Sequence, residues 1–138
     1  MLRMRQANQK ECWRVKKEIK TDRAPMPAGP YSQGLIVGKR IYVAGQVPVD
    51  PVTRKVADTI QEQTHQVMKN ISAILEAGGA KMDDVVKATV HLETLQDFDE
   101  FNKVYKTYFT PPYPVRTTVG SRLLNDFRVE IDVIAEME

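Results

Sequence analysis

Only two stretches of this 138-residue chain carry a helical period; its other apolar segments alternate like strands. That imbalance limits the fold more than any other feature, because two helices can cover only one face of a sheet. The first helix begins at Asp58, the expected N-cap. Ile60, Thr64, Val67, Met68, Ile71, Ile74 and Leu75 share one face, and Gly78-Gly79 is the stop. The second spans Asp97–Tyr108, with Phe98, Phe101, Val104, Tyr105, Tyr108 and Phe109 as its apolar stripe. Strands are expected at Tyr31–Val37 and Arg40–Ala44 around the turn Gly38-Lys39, at Val85–Leu92, at Arg116–Val119 and at Arg128–Ala135. Val15–Ile19 alternates too and is a candidate for an earlier strand. The order ββαβαββ makes a single-domain α+β fold with both helices on one face of a mixed sheet.

Period two also assigns side chains to faces. In Val85–Leu92, Val86, Ala88, Val90 and Leu92 are expected on the core side, opposite Lys87, Thr89 and His91. In the last strand Val129, Ile131 and Val133 face the core, while Arg128, Glu130 and Asp132 point away. That polar face either stays wet or packs against other subunits, and both readings stand at this level.

Charge narrows the function. Residues 1–20 hold seven basic and two acidic groups, whereas the other 118 hold thirteen basic and sixteen acidic. The basic balance therefore belongs to the amino-terminal segment, read as a disordered extension over residues 1–14 ahead of a domain at 15–138. The body lacks the basic surface that nucleic acid requires. No run of about 18 apolar residues is present to cross a membrane. Cys12 has no partner for a disulfide, and with only His65 and His91 besides, no zinc framework is expected. A reducing compartment, the cytoplasm, is the expected location; a mitochondrial presequence in the basic segment is the alternative.

The chemistry concentrates at Pro112-Tyr113-Pro114-Val115-Arg116-Thr117-Thr118 and Arg128-Val129-Glu130-Ile131. Prolines 111, 112 and 114 stiffen the approach to Arg116, and a guanidinium so held can grip a carboxylate or phosphate through two parallel hydrogen bonds. A glutamate on a neighbouring strand can then hold a water or accept its proton. A plain cross-strand ion pair is the competing reading.

These residues sit in a larger pattern. Ala28-Gly29-Pro30-Tyr31-Ser32-Gln33-Gly34, Ile41-Tyr42-Val43-Ala44-Gly45-Gln46-Val47-Pro48, Val86-Lys87-Ala88-Thr89-Val90, Asp97-Phe98 through Asn102 and Tyr105, Pro114-Val115-Arg116 and Val129-Glu130-Ile131 occur in order. The chain thereby resembles the Rid family of reactive-intermediate deaminases, also called YjgF-like and, in older usage, L-PSP endoribonucleases. The resemblance implies a chorismate-mutase-like α+β domain, a homotrimer and active sites in clefts between subunits. It also implies hydrolysis of 2-imino or enamine acids to 2-keto acids and ammonia, with no cofactor or metal.

By the same resemblance Arg116 matches the carboxylate clamp and Glu130 the residue that positions or activates water. Tyr31 matches an aromatic wall, and Gly45 and Asn102 match cleft-lining positions. Thr118 stands where many deaminating members have cysteine, and Ala44 where many have serine before the Gly-Gln pair. Leu124 replaces a usual proline, in a segment one residue shorter than common between Arg116 and Glu130. Two other functions remain in view: an RNA-cleaving translation inhibitor, and a trimeric carboxylate-binding or chaperone-like module without turnover. His65, His91, Tyr105, Tyr108 and Phe109 receive no chemical role, the last three as core.

Overall fold

The computed structural model of the chain describes residues 15–138. The segment 1–14, with Cys12, lies outside the described residues. Six strands form one sheet: β1 (Lys16–Ile19), β2 (Gly34–Val37), β3 (Arg40–Gln46), β4 (Val85–Leu92), β5 (Val115–Gly120) and β6 (Val129–Glu136). Their spatial order is β1-β2-β3-β6-β4-β5, so the last strand is inserted between β3 and β4. All neighbours are antiparallel except β4 and β5. Because β3 and β4 both run opposite to β6, they are parallel to each other. Both helices are therefore crossovers between parallel strands, the connection that such strands require.

Helix α1 (Ile60–Ala77) and helix α2 (Phe98–Tyr105) pack on the same sheet face, as the count of two helices demanded. Single turns of 3-10 helix at Leu95–Asp97 and Lys106–Tyr108 extend α2 to about the predicted length. Val67, Met68, Ile71, Ile74 and Leu75 of α1 are fully buried against Ile41, Val90, Ile131 and Val133. Each such side chain contributes about 1.5–3 kcal/mol on leaving water.

Several local expectations shift. The N-cap of α1 is Thr59, one residue beyond Asp58, and its hydroxyl accepts from the Glu62 N–H at 3.2 Å. The Asp58 carbonyl serves Arg128 instead, at 3.1 Å. Strand β2 starts at Gly34, not Tyr31, because Gln33 turns inward to staple the preceding loop. Its amide donates to the carbonyls of Thr21, Ala24 and Pro25 and accepts from the Thr21 N–H. Val86 is 44% exposed, against the alternation, because a bulge between Val85 and Lys87 inserts one extra residue opposite β6. Arg128, expected beside Glu130 and Asp132, is drawn to the helix layer by a two-bond pair with Asp97 at 2.9 and 3.2 Å. The turn Gly38-Lys39 forms as expected, with Gly38 at φ 61°, a conformation without steric cost only for glycine.

Candidate functional site

The six candidate residues separate into two groups. Arg116 pairs in register with Ala88 and Thr118 with Val90, both fully buried, so Arg116 and Thr118 face the helices. There the Arg116 guanidinium lies 4.8 Å from the ring centre of Tyr105, 5.5 Å from Phe101 and 5.7 Å from Phe98, all on α2. These are cation–π distances. Asn102 sits three residues before Tyr105 and four after Phe98, and shares that side of α2. Arg116 has no carboxylate within ion-pair range among the described residues. The buried Thr118 hydroxyl has no hydrogen-bond partner there either. A half-buried guanidinium held by rings, with no carboxylate partner among the described residues, has the chemistry to take an anion.

Glu130 belongs to the second group. It pairs with His91 between the buried Val129 and Ile131, which turns it to the open face of the sheet. It therefore does not stand on a strand neighbouring Arg116: β4 separates β5 from β6, and the two side chains lie on opposite faces. The cross-strand ion pair is excluded by the same geometry. Sequence proximity could not reveal this, since strand order is a property of the crossovers.

Gly45 joins Glu130. Between Val43 and Gln46 strand β3 bulges against β6, and a Cβ built on Gly45 would lie 2.6 Å from Glu130 Oε2. Glycine there leaves room for the carboxylate in this position. The Gln46 side chain donates to the Ala44 carbonyl at 3.0 Å and closes the bulge. One residue before Gly45, the Ala44 N–H donates to the Gln33 carbonyl at 2.9 Å, which ties on the loop carrying Tyr31. Tyr31 itself is 51% exposed, its hydroxyl accepting from the Ala28 N–H at 3.2 Å. Gln33 and Gln46 position the site without having been assigned a role. Their presence in the motifs was the available signal.

The open face also carries Asp132, whose carboxyl is pushed above its ordinary range by burial, with the charges of His91 and Lys87 and the Thr89 hydroxyl pulling back. His91 Nδ1 meets the Ser121 hydroxyl at 3.0 Å, and His65 Nδ1 the Tyr108 hydroxyl at 2.7 Å. An open groove of about 350 Å³ beside Asp50, Lys55 and Glu62 contains none of the candidate residues. The Asp50 carboxylate is already engaged by the Val52 and Thr53 N–H groups.

Comparison with known proteins adds an independent line. Residues 21–137 match the family model described as endoribonuclease L-PSP. The chain belongs to the Rid/YjgF family. It is 51% identical over 124 residues to a RutC family protein of Saccharolobus solfataricus, covering 88% of this chain and 98% of that protein. To the 2-iminobutanoate/2-iminopropanoate deaminase of Salmonella typhimurium it is 41% identical over 125 residues, covering 88% and 98%. The crystal structure of E. coli TdcF with bound serine superposes with a TM-score of 0.85 at 38% identity, covering 88% of this chain and 99% of that one. The division between an Arg116 group and a Glu130 group is thus a division within a Rid-family fold.

Proposed function

We propose that the protein hydrolyses 2-imino and enamine acids to 2-keto acids and ammonia, as a chorismate-mutase-like homotrimer whose clefts unite Arg116 of one copy with Glu130 of another. One observation carries this reading: the candidate anion clamp, Arg116, and the candidate base, Glu130, sit on opposite faces of one sheet. A small ligand touched by both requires two copies of the chain. The open face suits such contact, since Tyr42, Val115 and Val119 remain exposed on it around the polar residues.

In the proposed reaction Arg116 holds the substrate carboxylate and Asn102 and Thr118 offer polar contacts beside it. Glu130 takes a proton from water as the oxygen bonds to C2 of the iminium. The carbinolamine then receives that proton on nitrogen; as the C–N bond breaks, Glu130 takes the remaining hydroxyl proton and passes it to the departing ammonia, which leaves as ammonium while the C2 carbonyl forms. An iminium carbon is already electrophilic, so orientation and one proton acceptor supply most of what is needed. The relatives named as deaminases support the reaction class, and the serine bound to TdcF supports a site for small amino-acid-like carboxylates.

The test couples the protein to a dehydratase that generates the imine from threonine or serine, and follows keto-acid release. Acceleration over buffer is expected and should vanish in Arg116→Ala with the fold intact; no acceleration by the intact oligomer sinks the reading. The shared cleft has its own test. Inactive Arg116→Ala and Glu130→Ala chains, unfolded and refolded together, should regain about a quarter of wild-type activity through sites built from one intact half of each. No recovery would place the two residues in separate functions.

Carboxylate binding without turnover is the second reading, favoured by Thr118 and Ala44 in place of more reactive side chains. Stabilisation by 2-ketobutyrate with no imine hydrolysis would select it. RNA cleavage, the activity in the family model's description, would have to persist through a salt wash and disappear in Glu130→Ala.

A further inference from the structure

We propose that Tyr105 is a positioning residue for Arg116, its ring and buried hydroxyl together fixing the plane of the guanidinium so that the free N–H edge points outward. The inference rests on the reading of Arg116 as a carboxylate clamp. An arginine on an edge strand has several free torsions, and ordering it on binding costs affinity. Here that ordering exists before any ligand arrives. Phe98, Phe101 and Tyr105 recur along one stripe of α2, and Tyr105 is nearest, at 4.8 Å. The Tyr105 ring is itself locked, 5.4 Å from Phe101 on one side and 4.9 Å from Phe109 on the other.

The hydroxyl is the second observation. Tyr105 is 5% exposed, and its oxygen has no hydrogen-bond partner among the described residues. An orphaned buried hydroxyl costs roughly 1–3 kcal/mol, and phenylalanine would fill the same space without that cost. What faces the oxygen is Arg116: burial pushes the phenol up, and the guanidinium's charge and the approach of its N–H groups, short of full hydrogen-bond geometry, oppose that push. The phenol lone pairs are the acceptor toward which a guanidinium N–H can turn. The hydroxyl is too enclosed to meet a ligand directly, so it acts through Arg116. A lysine at 116 would lack the flat face for stacking and the forked edge for the carboxylate.

The experiment titrates 2-ketobutyrate calorimetrically into the full-length protein and its Tyr105→Phe, Tyr105→Leu and Arg116→Ala variants, with turnover and the Arg116 Nε–H resonance recorded on the same samples. Tyr105→Leu should weaken 2-ketobutyrate about tenfold and raise KM by a similar factor with a smaller change in kcat. Tyr105→Phe should weaken it roughly two- to fivefold, the share of one acceptor. The Nε–H resonance, moved upfield by the rings, should shift in both variants. Folded Tyr105 variants with wild-type affinity and an unmoved resonance overturn the proposal while leaving the clamp reading in place. If Tyr105→Leu does not fold, Tyr105→Phe decides alone, and unchanged affinity overturns it. If the wild-type protein itself ignores 2-ketobutyrate, the clamp reading fails, and the resonance in Tyr105→Phe still decides whether Tyr105 orients Arg116.

Discussion

The two faces of the sheet use the same strands for different ends. On the helix face Val129, Ile131 and Val133 of β6 join α1 in a dry core, and Arg116 is half-buried there among aromatic rings. On the open face Glu130 and Asp132 of the same strand stand half-exposed among Thr89, His91 and Lys87. Alternation of side chains lets one strand serve both, but it also places a full sheet thickness between an inward clamp and an outward base. Under the proposed function this chain is thus built as two half-sites, each supported by its own layer. Arg116 is held by α2, and Glu130 by the bulge at Ala44-Gly45.

The sharpest way to break that contrast is to change adjacent residues of β6. Ile131→Ala, on the core side, should cost about 2–5 kcal/mol in urea unfolding. Glu130→Gln, one position away, should stay within about 0.5 kcal/mol of the parent while imine hydrolysis falls by about 10²–10⁴. If Glu130→Gln destabilised as much as Ile131→Ala, the open face would be structural. A smaller effect is expected from Gly45→Ala. The added methyl must displace the Glu130 carboxylate, whose Oε2 would be 2.6 Å away, and the flexible end of that side chain can yield. Stability should change little and turnover should fall about 100-fold, as when a reacting group is displaced by about an ångström. A Gly45→Ala protein with full activity would free Glu130 from the role assigned to it.

The smallest effect is a matter of pH. Because burial raises the Asp132 carboxyl, its contribution to stability is complete below the ordinary value of 3.8 and is lost as pH rises through the higher folded-state value. Asp132→Asn removes that loss. The variant should therefore gain on the parent as pH climbs from the ordinary carboxylate value to the higher folded-state value, with a constant difference above the latter. Urea midpoints at steps from about pH 3 to pH 7 measure this. A gain that instead shrank with rising pH would mean that Asp132 is stabilised as the carboxylate by His91 and Lys87.

Much of this was legible in the residues. The periods at Ile60–Leu75 and Phe98–Tyr108 specified two helices and their buried stripes, and the motifs around Arg116 and Glu130 identified the family. Exceptions arose where a tertiary contact outweighed a local rule. Arg128 abandons its face for Asp97, Val86 is turned out by a bulge, and the loop that Gln33 staples delays β2. Tyr105 shows the limit most clearly. Its period correctly assigned it to the interior, yet nothing local indicates that a guanidinium from β5 lies over its ring.

By itself the sequence determined the elements, the face most side chains take and the family, because periods of 2 and 3.6 and short motifs are local. Only the tertiary structure decided that β6 inserts between β3 and β4, that Arg116 and Glu130 face apart, and that Gly45 makes room for a carboxylate. Those outcomes depend on how the two helices carry the chain across the sheet, and on atoms distant in sequence competing for the same space.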